Sequence, residues 1–254
     1  MREFGNYGDT SRPLITIVVA VLNRAYCIES FIESVINQSY KNVELIIIDG
    51  GSTDGTLEIL KEYDAHIDCW VSEPDNGIYD ALNKGIRLAK GDWINIQGSD
   101  DLLYDSLASV APYLVSDHTI YYGDLFYKYQ KKVNFGLMTR YQLSQYRFGH
   151  HRFFFPRHLF NYYTYNLRYP ICADYEMVVR AYADKKFNFE YIPVVVAGYN
   201  DRDGASSHRV DHVFNRDRFR FMLNHFPFRY VVMFYLRMLF GRLRKMRTAV
   251  SWRG

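Results

Sequence analysis

The chain has 254 residues, enough for one large domain or two small ones with an ample core. Its hydrophobic share of 48% and charged share of 23% are those of an ordinary globular protein, and no apolar window is long enough for a membrane-spanning helix. The net charge of +3 hides an asymmetry: nine basic residues and no acidic one follow Asp217, which leaves −6 for residues 1–217.

Apolar runs and helical patterns alternate through the first hundred residues. Residues 14–22 and 42–49 are continuous apolar runs rich in β-branched side chains, which is typical of strands buried on both faces. In chain order the sequence predicts a strand at 14–22, a helix within 23–38, strands at 42–49, 67–73 and 92–97, and helices at 56–63 and 78–90. Short connections between alternating strands and helices predict βαβ units and a parallel sheet.

Carboxylates follow the ends of three predicted strands. Asp49, Asp75 and the pair Asp100 and Asp101 come directly after apolar runs. Because ligands bind beyond the carboxyl ends of parallel strands, we expect these side chains to meet at one rim of the sheet. A divalent cation would stabilise the adjacent pair, whereas the simpler alternative has one carboxylate capping a turn and the other facing water. The expected convergence favours the cation.

The second half of the chain is less regular. The sequence predicts a strand at 119–129, a hairpin-like continuation at 131–136, a mixed segment of His, Arg and aromatic residues at 150–160, a helix at 173–185, one or two strands at 187–199 and a polar loop at 200–208. The aromatic share of 17% is high, which carbohydrate sites, membrane-proximal surfaces and plain cores would all explain.

The segments PLITIVVAVLNRAYCIESFIESVINQSYKNVELIIIDGGSTDGTLEIL and EPDNGIYDALNKGIRLAKGDWINIQGSDD resemble the family 2 inverting glycosyltransferases of GT-A fold, which build bacterial polysaccharides and glycolipids. The resemblance implies an α/β fold, with a mostly parallel twisted sheet flanked by helices and an irregular acceptor half. It divides residues 1–217, the transferase domain, into a nucleotide-sugar half at about 13–110 and an acceptor half at about 111–217. Residues 218–254 form a basic, aromatic C-terminal helical extension.

The resemblance also implies donor-binding residues in the first half. Asp49 would accept a hydrogen bond from the base, expected to be uracil, and Asp75 would lie near the base or ribose. Each has a structural alternative, because Asp before Gly-Gly or Asn-Gly also forms turns. Asn83 and Lys84 match the helix beside the diphosphate; Lys84 could offset phosphate charge, although a solvated lysine is the simpler interpretation.

The motif GSDD matches the metal-binding position of the family, with Gly98 in place of the first Asp. By this resemblance Asp101 ligates Mn²⁺ or Mg²⁺, and Asp100 contacts the cation or the ribose. His150 or His151, in GHHRFFF, would complete the metal shell or hold a phosphate, and His151 is our predicted ligand. The alternative for both is an exposed loop histidine.

An inverting transfer needs a general base that takes the proton of the acceptor hydroxyl. The family places this base in a Glu-Asp pair that opens a helix, and CADYEMVVR matches it with Ala173 in place of Glu. Asp174 is therefore the predicted base and Glu176 the reserve. Acidic residues in a first turn are also stabilised by the helix dipole without any catalytic role.

Residues outside these motifs give the expected surroundings. A loop with Arg202, Ser206, Ser207 and His208 could close over the diphosphate. The basic, apolar tail favours contact with an anionic membrane over nucleic acid, while a helix packed on the domain is the structural alternative. Three cysteines without metal-ligand spacing and an N-terminus without an export signal predict a reduced, cytoplasmic location, at the inner face of the membrane.

The sequence therefore predicts a metal-dependent glycosyltransferase, hexosyl or N-acetylhexosaminyl. It would move a sugar from a nucleotide sugar, expected to be UDP-linked, to a hydroxyl of a lipid-linked or growing cell-surface glycan. The alternative is a nucleotide-sugar-binding regulatory protein that has lost catalysis, which Ala173 and Gly98 motivate. A nicotinamide-dependent oxidoreductase is disfavoured, because the turn VLNRAY after the first strand lacks the required glycines.

Overall fold

The computed structural model describes residues 12–134, 136–202 and 209–250, with side chains as far as residue 240. The chain forms two compact units. The first, which we call the sheet unit, comprises Met1–Leu137 and Gly149–Asp211. The second, the helical unit, comprises Met138–Phe148 and His212–Gly254.

The elements follow the predicted order closely in the first half of the chain. The strands are β1 Ile15–Val21, β2 Val43–Asp49, β3 Cys69–Ser72, β4 Trp93–Gly98, β5 Leu102–Leu103, β6 Thr119–Tyr127, β7 Lys132–Asn134, β8 Phe153–Pro156 and β9 Asn188–Tyr199. The helices are α1 Ile28–Ile36, α2 Thr56–Glu62, α3 Ile78–Leu88, α4 Leu107–Val110, α5 Arg140–Gln145, α6 Ala173–Asp184, α7 His212–His225 and α8 Phe228–Val250. Helix α1 begins at Ile28, the first residue of its apolar pattern, and Asn23 before it adopts a positive φ of 53°.

The first four strands form a parallel sheet in the order β3-β2-β1-β4. Both β1 and β2 are buried almost throughout, which explains their continuous apolar sequences. The pairing sets Val21 of β1 beside Asp49 and Ala20 beside Gly98, so the ends of β2 and β4 flank the end of β1. On the far side of β2, Asp49 pairs with Ser72 at the end of β3. The register thus aligns the ends of all four strands along one rim.

Helix α3 lies close against this sheet because residue 85 has no side chain. A Cβ atom at Gly85 would lie 2.5 Å from Cγ1 of Val18 and 3.2 Å from Cγ1 of Ile48. The helix therefore approaches β1 and β2 more closely than any larger residue would permit. This approach sets where the first turn of α3 stands relative to the rim.

The second half extends the sheet in the order β4-β8-β6-β9-β5, and β7 pairs with β6 as the predicted hairpin. Antiparallel pairs β4/β8, β6/β8 and β5/β9 join the parallel pair β6/β9, so the whole sheet is mixed. The predicted mostly parallel arrangement describes the first half. The segment 150–160 forms a 3-10 turn, β8 and a second 3-10 turn, and the three phenylalanines of β8 are fully buried. Part of the high aromatic content is therefore core.

The helical unit consists of α5, α7 and α8. Thr139 and Gln142 form a capping box that begins α5. Arg140 donates to the carbonyl of His225 at 2.9 Å, which ties α5 to the end of α7. Residue 217, our predicted domain boundary, lies inside α7. In the described part of the chain, no helix is both long and apolar enough to cross a membrane.

Candidate active site

Asp49 ends β2 as a fully buried carboxylate. Its Oδ2 accepts hydrogen bonds from the main-chain N–H of Gly51 and Ser52, both at 3.0 Å, and from Oγ of Ser72 at 2.7 Å. Its Oδ1 accepts from Oγ of Ser52. These bonds compensate the burial of the carboxylate and shape the turn after β2. Asp49 therefore forms a turn, as the structural alternative predicted, and its contact with the nucleotide base stays a prediction.

Asp75 lies over the turn that Asp49 organises. A Cβ atom at Gly50 would stand 2.4 Å from Oδ2 of Asp75, so only glycine leaves room for this carboxylate. The other oxygen, Oδ1, accepts from the main-chain N–H of Gly77 at 2.8 Å, just before α3. Asp49 and Asp75 thus meet at one rim, as the positions of the strand ends predicted.

Asn83 and Lys84 are both engaged by protein groups. The side chain of Asn83 donates to the carbonyl of Tyr165 at 2.9 Å and accepts from the N–H of the same residue at 3.0 Å. The ammonium of Lys84 lies 2.8 Å from Oε1 of Glu73 and 3.6 Å from Oδ2 of Asp80. Both residues stand on the predicted helix, and in the structure they organise its surroundings.

The carboxylates of Asp100 and Asp101 fold back over Gly98. A Cβ atom at Gly98 would lie 2.7 Å from Oδ2 of Asp101 and 3.1 Å from Oδ1 of Asp100. Asn200, which follows β9, binds both: its main-chain N–H donates to Oδ1 of Asp101 at 2.7 Å, and its amide Nδ2 donates to Oδ2 of Asp100 at 3.2 Å. On the remaining side, Nε2 of His151 lies 3.1 Å from Oδ2 of Asp101.

The positions of Asp101 and His151 suit a divalent cation. Burial raises the pKa of the Asp101 carboxyl, and His151 acts in the opposite direction. Among the described residues, Oδ2 of Asp101 and Nδ1 of His151 are buried without a hydrogen-bond partner, so the close approach of His151 is no hydrogen bond. A carboxylate oxygen and an imidazole nitrogen are donors that Mn²⁺ accepts, and Mg²⁺ accepts the oxygen. No group of three or more His, Cys, Asp or Glu residues in the described chain could hold an ion alone, so substrate oxygens would complete the shell.

Two buried amides of β4 fix the main chain of His151. Nδ2 of Asn95 and Nε2 of Gln97 donate to the carbonyl of His151 at 3.1 and 2.9 Å. A Cβ atom at Gly149 would stand 3.0 Å from Nδ1 of His151, so the preceding chain also leaves room for the ring. The position of the imidazole is therefore set by the strand that delivers the carboxylate pair.

The next residue, Arg152, anchors the same segment from inside the core. Its Nε donates to the carbonyl of Gly123 at 2.7 Å, and its Nη2 lies 3.5 Å from Oδ1 of Asp124. Oδ2 of Asp124 accepts from the hydroxyl of Tyr191 at 2.7 Å. Burial lowers the pKa of the Arg152 guanidinium, and Asp124 opposes that shift. Such a buried pair fixes geometry because removal of either partner leaves an uncompensated charge.

The predicted base and its reserve differ in their partners. Asp174 is half-buried in the first turn of α6, and its Oδ1 accepts from the hydroxyl of Tyr79 at 2.9 Å. Glu176 is buried, and its Oε1 lies 2.9 Å from Nε of Arg180 one turn later in the helix. Glu176 is thus occupied by an intrahelical ion pair, whereas Asp174 faces a tyrosine of α3. The role of Asp174 as the base stays a prediction.

Comparison with known proteins identifies the family. The model of glycosyl transferase family 2 matches residues 16–188. The chain belongs to this family. A PGL/p-HBAD biosynthesis glycosyltransferase of Mycobacterium bovis is 33% identical over 256 residues, covering 95% of this chain and 98% of that protein. The corresponding protein of Mycobacterium tuberculosis has the same identity and coverage.

Solved structures confirm the predicted α/β GT-A fold. TarS residues 1–349 of Staphylococcus aureus in complex with UDP-GlcNAc matches with a TM-score of 0.65 at 14% identity, over 82% of this chain and 64% of that one. The mannosyltransferase PcManGT of Pyrobaculum calidifontis in complex with GDP-Man and Mn²⁺ matches with a TM-score of 0.62 at 21% identity, over 85% of this chain and 64% of that one. This chain thus spans less than two thirds of either solved chain.

In this family 2 glycosyltransferase neither His150 nor His151 is exposed, in contrast to the alternative of two exposed loop histidines. His150 is 5% exposed, and burial holds its pKa well below the usual value. Its Nδ1 lies 3.2 Å from the hydroxyl of Tyr165. The guanidinium of Arg202 stacks 5.2 Å over the ring of Tyr129, while residues 206–208 of the predicted loop lie outside the described residues.

Sequence reasoning missed the residues that hold the predicted ones in place. Asn200 directly follows a strand, as the acidic residues do, and this position was a usable signal. Asn95 and Gln97 are amides spaced by two in an otherwise apolar buried strand, so they share one face and need buried partners. The role of Tyr79 had no signal, because its partner Asp174 is 95 residues away.

Proposed function

We propose that this family 2 glycosyltransferase transfers a sugar, with inversion, from a UDP-linked nucleotide sugar to a hydroxyl of a lipid-linked or growing cell-surface glycan. The observation that carries the proposal is the buried Oδ2 of Asp101, which accepts no hydrogen bond and lies 3.1 Å from Nε2 of His151, on the rim that Asp49 and Asp75 share. The names of its relatives support it: TarS was solved with UDP-GlcNAc, PcManGT was solved with GDP-Man and Mn²⁺, and the mycobacterial relative is named a PGL/p-HBAD biosynthesis glycosyltransferase. The sugar is a hexose or an N-acetylhexosamine.

The side chains divide the chemistry between donor and acceptor. Asp101 would hold Mn²⁺ or Mg²⁺, with Asp100 beside it and with His151 as a further ligand if the ion is Mn²⁺. The bound ion would supply Lewis-acid stabilisation of the departing diphosphate. Asp174 accepts the proton of the acceptor hydroxyl. At the same time the oxygen of that hydroxyl bonds to the anomeric carbon, and the bond from the anomeric carbon to the diphosphate breaks. Asp49 and Asp75 orient the base and ribose.

The diphosphate side of the site is shaped by α3. Asn83 and Lys84 occupy the predicted positions there, and both act through neighbours: Asn83 fixes Tyr165, and Lys84 bridges Glu73 and Asp80. An incoming diphosphate would compete with the Glu73 carboxylate for the Lys84 ammonium. We therefore propose that Lys84 changes partner when donor binds.

The donor is identified with a panel of UDP- and GDP-sugars, tested with and without Mn²⁺ by thermal shift and by nucleotide release. A ligand that binds only the folded state raises the melting temperature. Asp101→Asn should abolish the Mn²⁺-dependent part of the shift and lower turnover at least about 100-fold, while Asp117→Asn, an exposed carboxylate elsewhere, should change neither. Wild-type Mn²⁺ affinity and turnover in Asp101→Asn would remove the proposed metal role.

The base is tested separately from the donor site. Asp174→Asn should lower turnover by about 10²- to 10⁴-fold without weakening donor binding. Asp184→Asn, at the other end of α6, is the matched control, because this carboxylate accepts from Tyr163 as Asp174 accepts from Tyr79. A protein that binds a nucleotide sugar but neither transfers nor hydrolyses it would instead be the catalytically inactive regulator that Ala173 and Gly98 motivate.

We further propose that the helical unit binds the anionic inner face of the cytoplasmic membrane. Exposed apolar side chains line α8, including Phe228 at 68%, Leu239 at 52% and Phe240 at 64% exposure, and no acidic residue follows Asp217. Co-sedimentation should detect binding to phosphatidylserine-containing vesicles that weakens with salt and is absent with phosphatidylcholine alone. Phe228→Ser with Phe240→Ser should weaken it at least about tenfold, and Val115→Ser, which alters an exposed residue of the sheet unit, should not.

A further inference from the structure

Tyr79 connects the first turns of two helices that are far apart in sequence. It is the second residue of α3, and Asp174 is the second residue of α6. The Tyr79 hydroxyl lies 2.9 Å from Oδ1 of Asp174 and 3.0 Å from the carbonyl oxygen of Ile171. The single hydroxyl proton is shared between these two acceptors, which belong to the same short segment, so the hydroxyl holds the start of α6 against the start of α3.

The chemistry of this contact has a fixed direction. Tyr79 is 6% exposed, and burial together with the Asp174 carboxylate raises the pKa of its phenol well above the usual value. The hydroxyl therefore stays protonated and acts as a donor at every working pH. A donor aimed at an ionised carboxylate gives a charge-assisted bond, which is stronger than a neutral one and favours the ionised form.

A line of buried rings continues from Tyr79 toward the carboxylate pair. The Tyr79 and Tyr165 rings are 5.1 Å apart, and the Tyr165 hydroxyl lies 3.2 Å from Nδ1 of His150. The His150 ring meets the His151 ring edge-on at 4.5 Å, and His151 reaches Asp101. Asn83 holds the main chain of Tyr165 with two hydrogen bonds. The acceptor side and the metal side of the site are thus packed against one another through rigid aromatic contacts.

We propose that Tyr79 is the positioning residue for the catalytic carboxylate: its hydroxyl fixes the orientation of Asp174 and keeps that side chain ionised and ready to accept a proton. The proposal depends on the proposed role of Asp174 as base. A hydrogen-bond donor on one carboxylate oxygen holds the base in one rotamer, so the base presents a defined lone pair to the acceptor hydroxyl. Without that donor the carboxylate would rotate between conformations and would be protonated more easily.

Several elements place charged or titratable groups near Asp174. Tyr79 faces it from α3, and Tyr165 faces it from the segment before α6. Asp211, before α7, accepts from the main-chain N–H of Ile171 and Cys172 at 3.1 Å each, next to the start of α6. On α6 itself, Glu176 is paired with Arg180. The hydrogen bond from Tyr79 can be removed by a change of one atom.

The experiment uses Tyr79→Phe, which removes one oxygen and keeps the ring against Tyr165. The control is Tyr163→Phe, which removes the analogous bond to Asp184 at the far end of the same helix. Turnover is measured as UDP release from the best UDP-sugar of the panel with Mn²⁺, between pH 5 and 9. For Tyr79→Phe we expect kcat to fall about 10- to 100-fold with donor KM unchanged, and the acid limb of the pH profile to move up by about one unit. In an Asp174→Asn background, Tyr79→Phe should cause no further loss.

The outcomes separate this proposal from the proposed function. Wild-type kcat and pH profile in Tyr79→Phe, with Asp174→Asn inactive, would overturn the positioning role and leave the base in place. Full turnover in Asp174→Asn would overturn the base assignment itself. A loss equal to that of Tyr163→Phe, with an unshifted pH profile, would mean a structural role only. If Tyr79→Phe does not fold, Tyr79→3-fluorotyrosine, a stronger donor of nearly the same shape, should move the acid limb down instead, and an unmoved limb would refute the proposal.

Discussion

Gly98 offers the sharpest test of how the carboxylate pair is held. Gly98→Ala adds one methyl group where a Cβ atom would lie 2.7 Å from Oδ2 of Asp101, 3.1 Å from Oδ1 of Asp100 and 3.3 Å from Cγ of Asp101. Asp101 cannot simply turn away, because its other oxygen accepts from the main chain of Asn200 at 2.7 Å. The substitution therefore displaces the oxygen that faces His151.

The size of the displacement follows from the distances. Oδ2 of Asp101 must move by about 0.3 Å to reach a separation of 3.0 Å and by about 0.7 Å to reach 3.4 Å, the range in which real contacts begin to be ordinary. Functional groups must be held within about 0.5 Å, and a misplacement of about 1 Å costs on the order of 10²-fold. We therefore expect Mn²⁺ affinity and kcat each to fall about tenfold. Alanine also reduces the entropy of the unfolded chain, so the melting temperature should change by no more than about 3 °C.

Isothermal titration with Mn²⁺, nucleotide release and thermal unfolding measure these quantities side by side. Gly85→Ala is the matched control, because its Cβ atom would stand 2.5 Å from Cγ1 of Val18, in the core under α3. Overpacking there should lower the free energy of unfolding by about 1–3 kcal/mol and lower Mn²⁺ affinity less than Gly98→Ala does. If Gly98→Ala binds Mn²⁺ as the wild type does, the carboxylates are not confined by residue 98 and the reasoning is refuted.

Two further predictions concern the supports of the site. Asn83→Ala should lower the free energy of unfolding by about 2–4 kcal/mol, because it removes two hydrogen bonds to the main chain of Tyr165; urea unfolding measures the change, and a loss under about 0.5 kcal/mol would contradict it. Arg152→Ala should cost about 3–5 kcal/mol, since it leaves the Asp124 carboxylate buried without its cation. Adding Asp124→Asn should restore part of that stability in guanidinium unfolding, and an unchanged midpoint in the double variant would argue against the ion pair.

The first half of the fold was predictable because local patterns and tertiary structure agree there. The strands β1 and β2 are long, apolar and buried on both faces, and short loops join them to helices with clear apolar faces. The position of β8 between β4 and β6 was not predictable, because Phe153–Pro156 is short and lies in an aromatic segment without a decisive period. The two residues of β5 carry even less signal.

The candidate site divides in the same way. Asp49, Asp75, Asp100 and Asp101 were found together because each follows a strand end, and parallel strands deliver their ends to one rim. Their supports were not found, since a hydrogen bond between residues 95 to 100 positions apart depends on how the whole sheet closes. Sequence reasoning therefore placed the candidate residues at one rim, and the structure was needed to see how they are oriented.

The hydrogen bonds from Asn200 to Asp100 and Asp101 have a consequence for folding during translation. Asn200 leaves the ribosome about a hundred residues after Asp100 and Asp101, long after the strands that carry them. A nascent chain with its first four strands paired would still lack the hydrogen bonds from Asn200 to Asp100 and Asp101. These hydrogen bonds therefore form only after translation has passed β9, and a nascent chain that ends before Asn200 cannot form them.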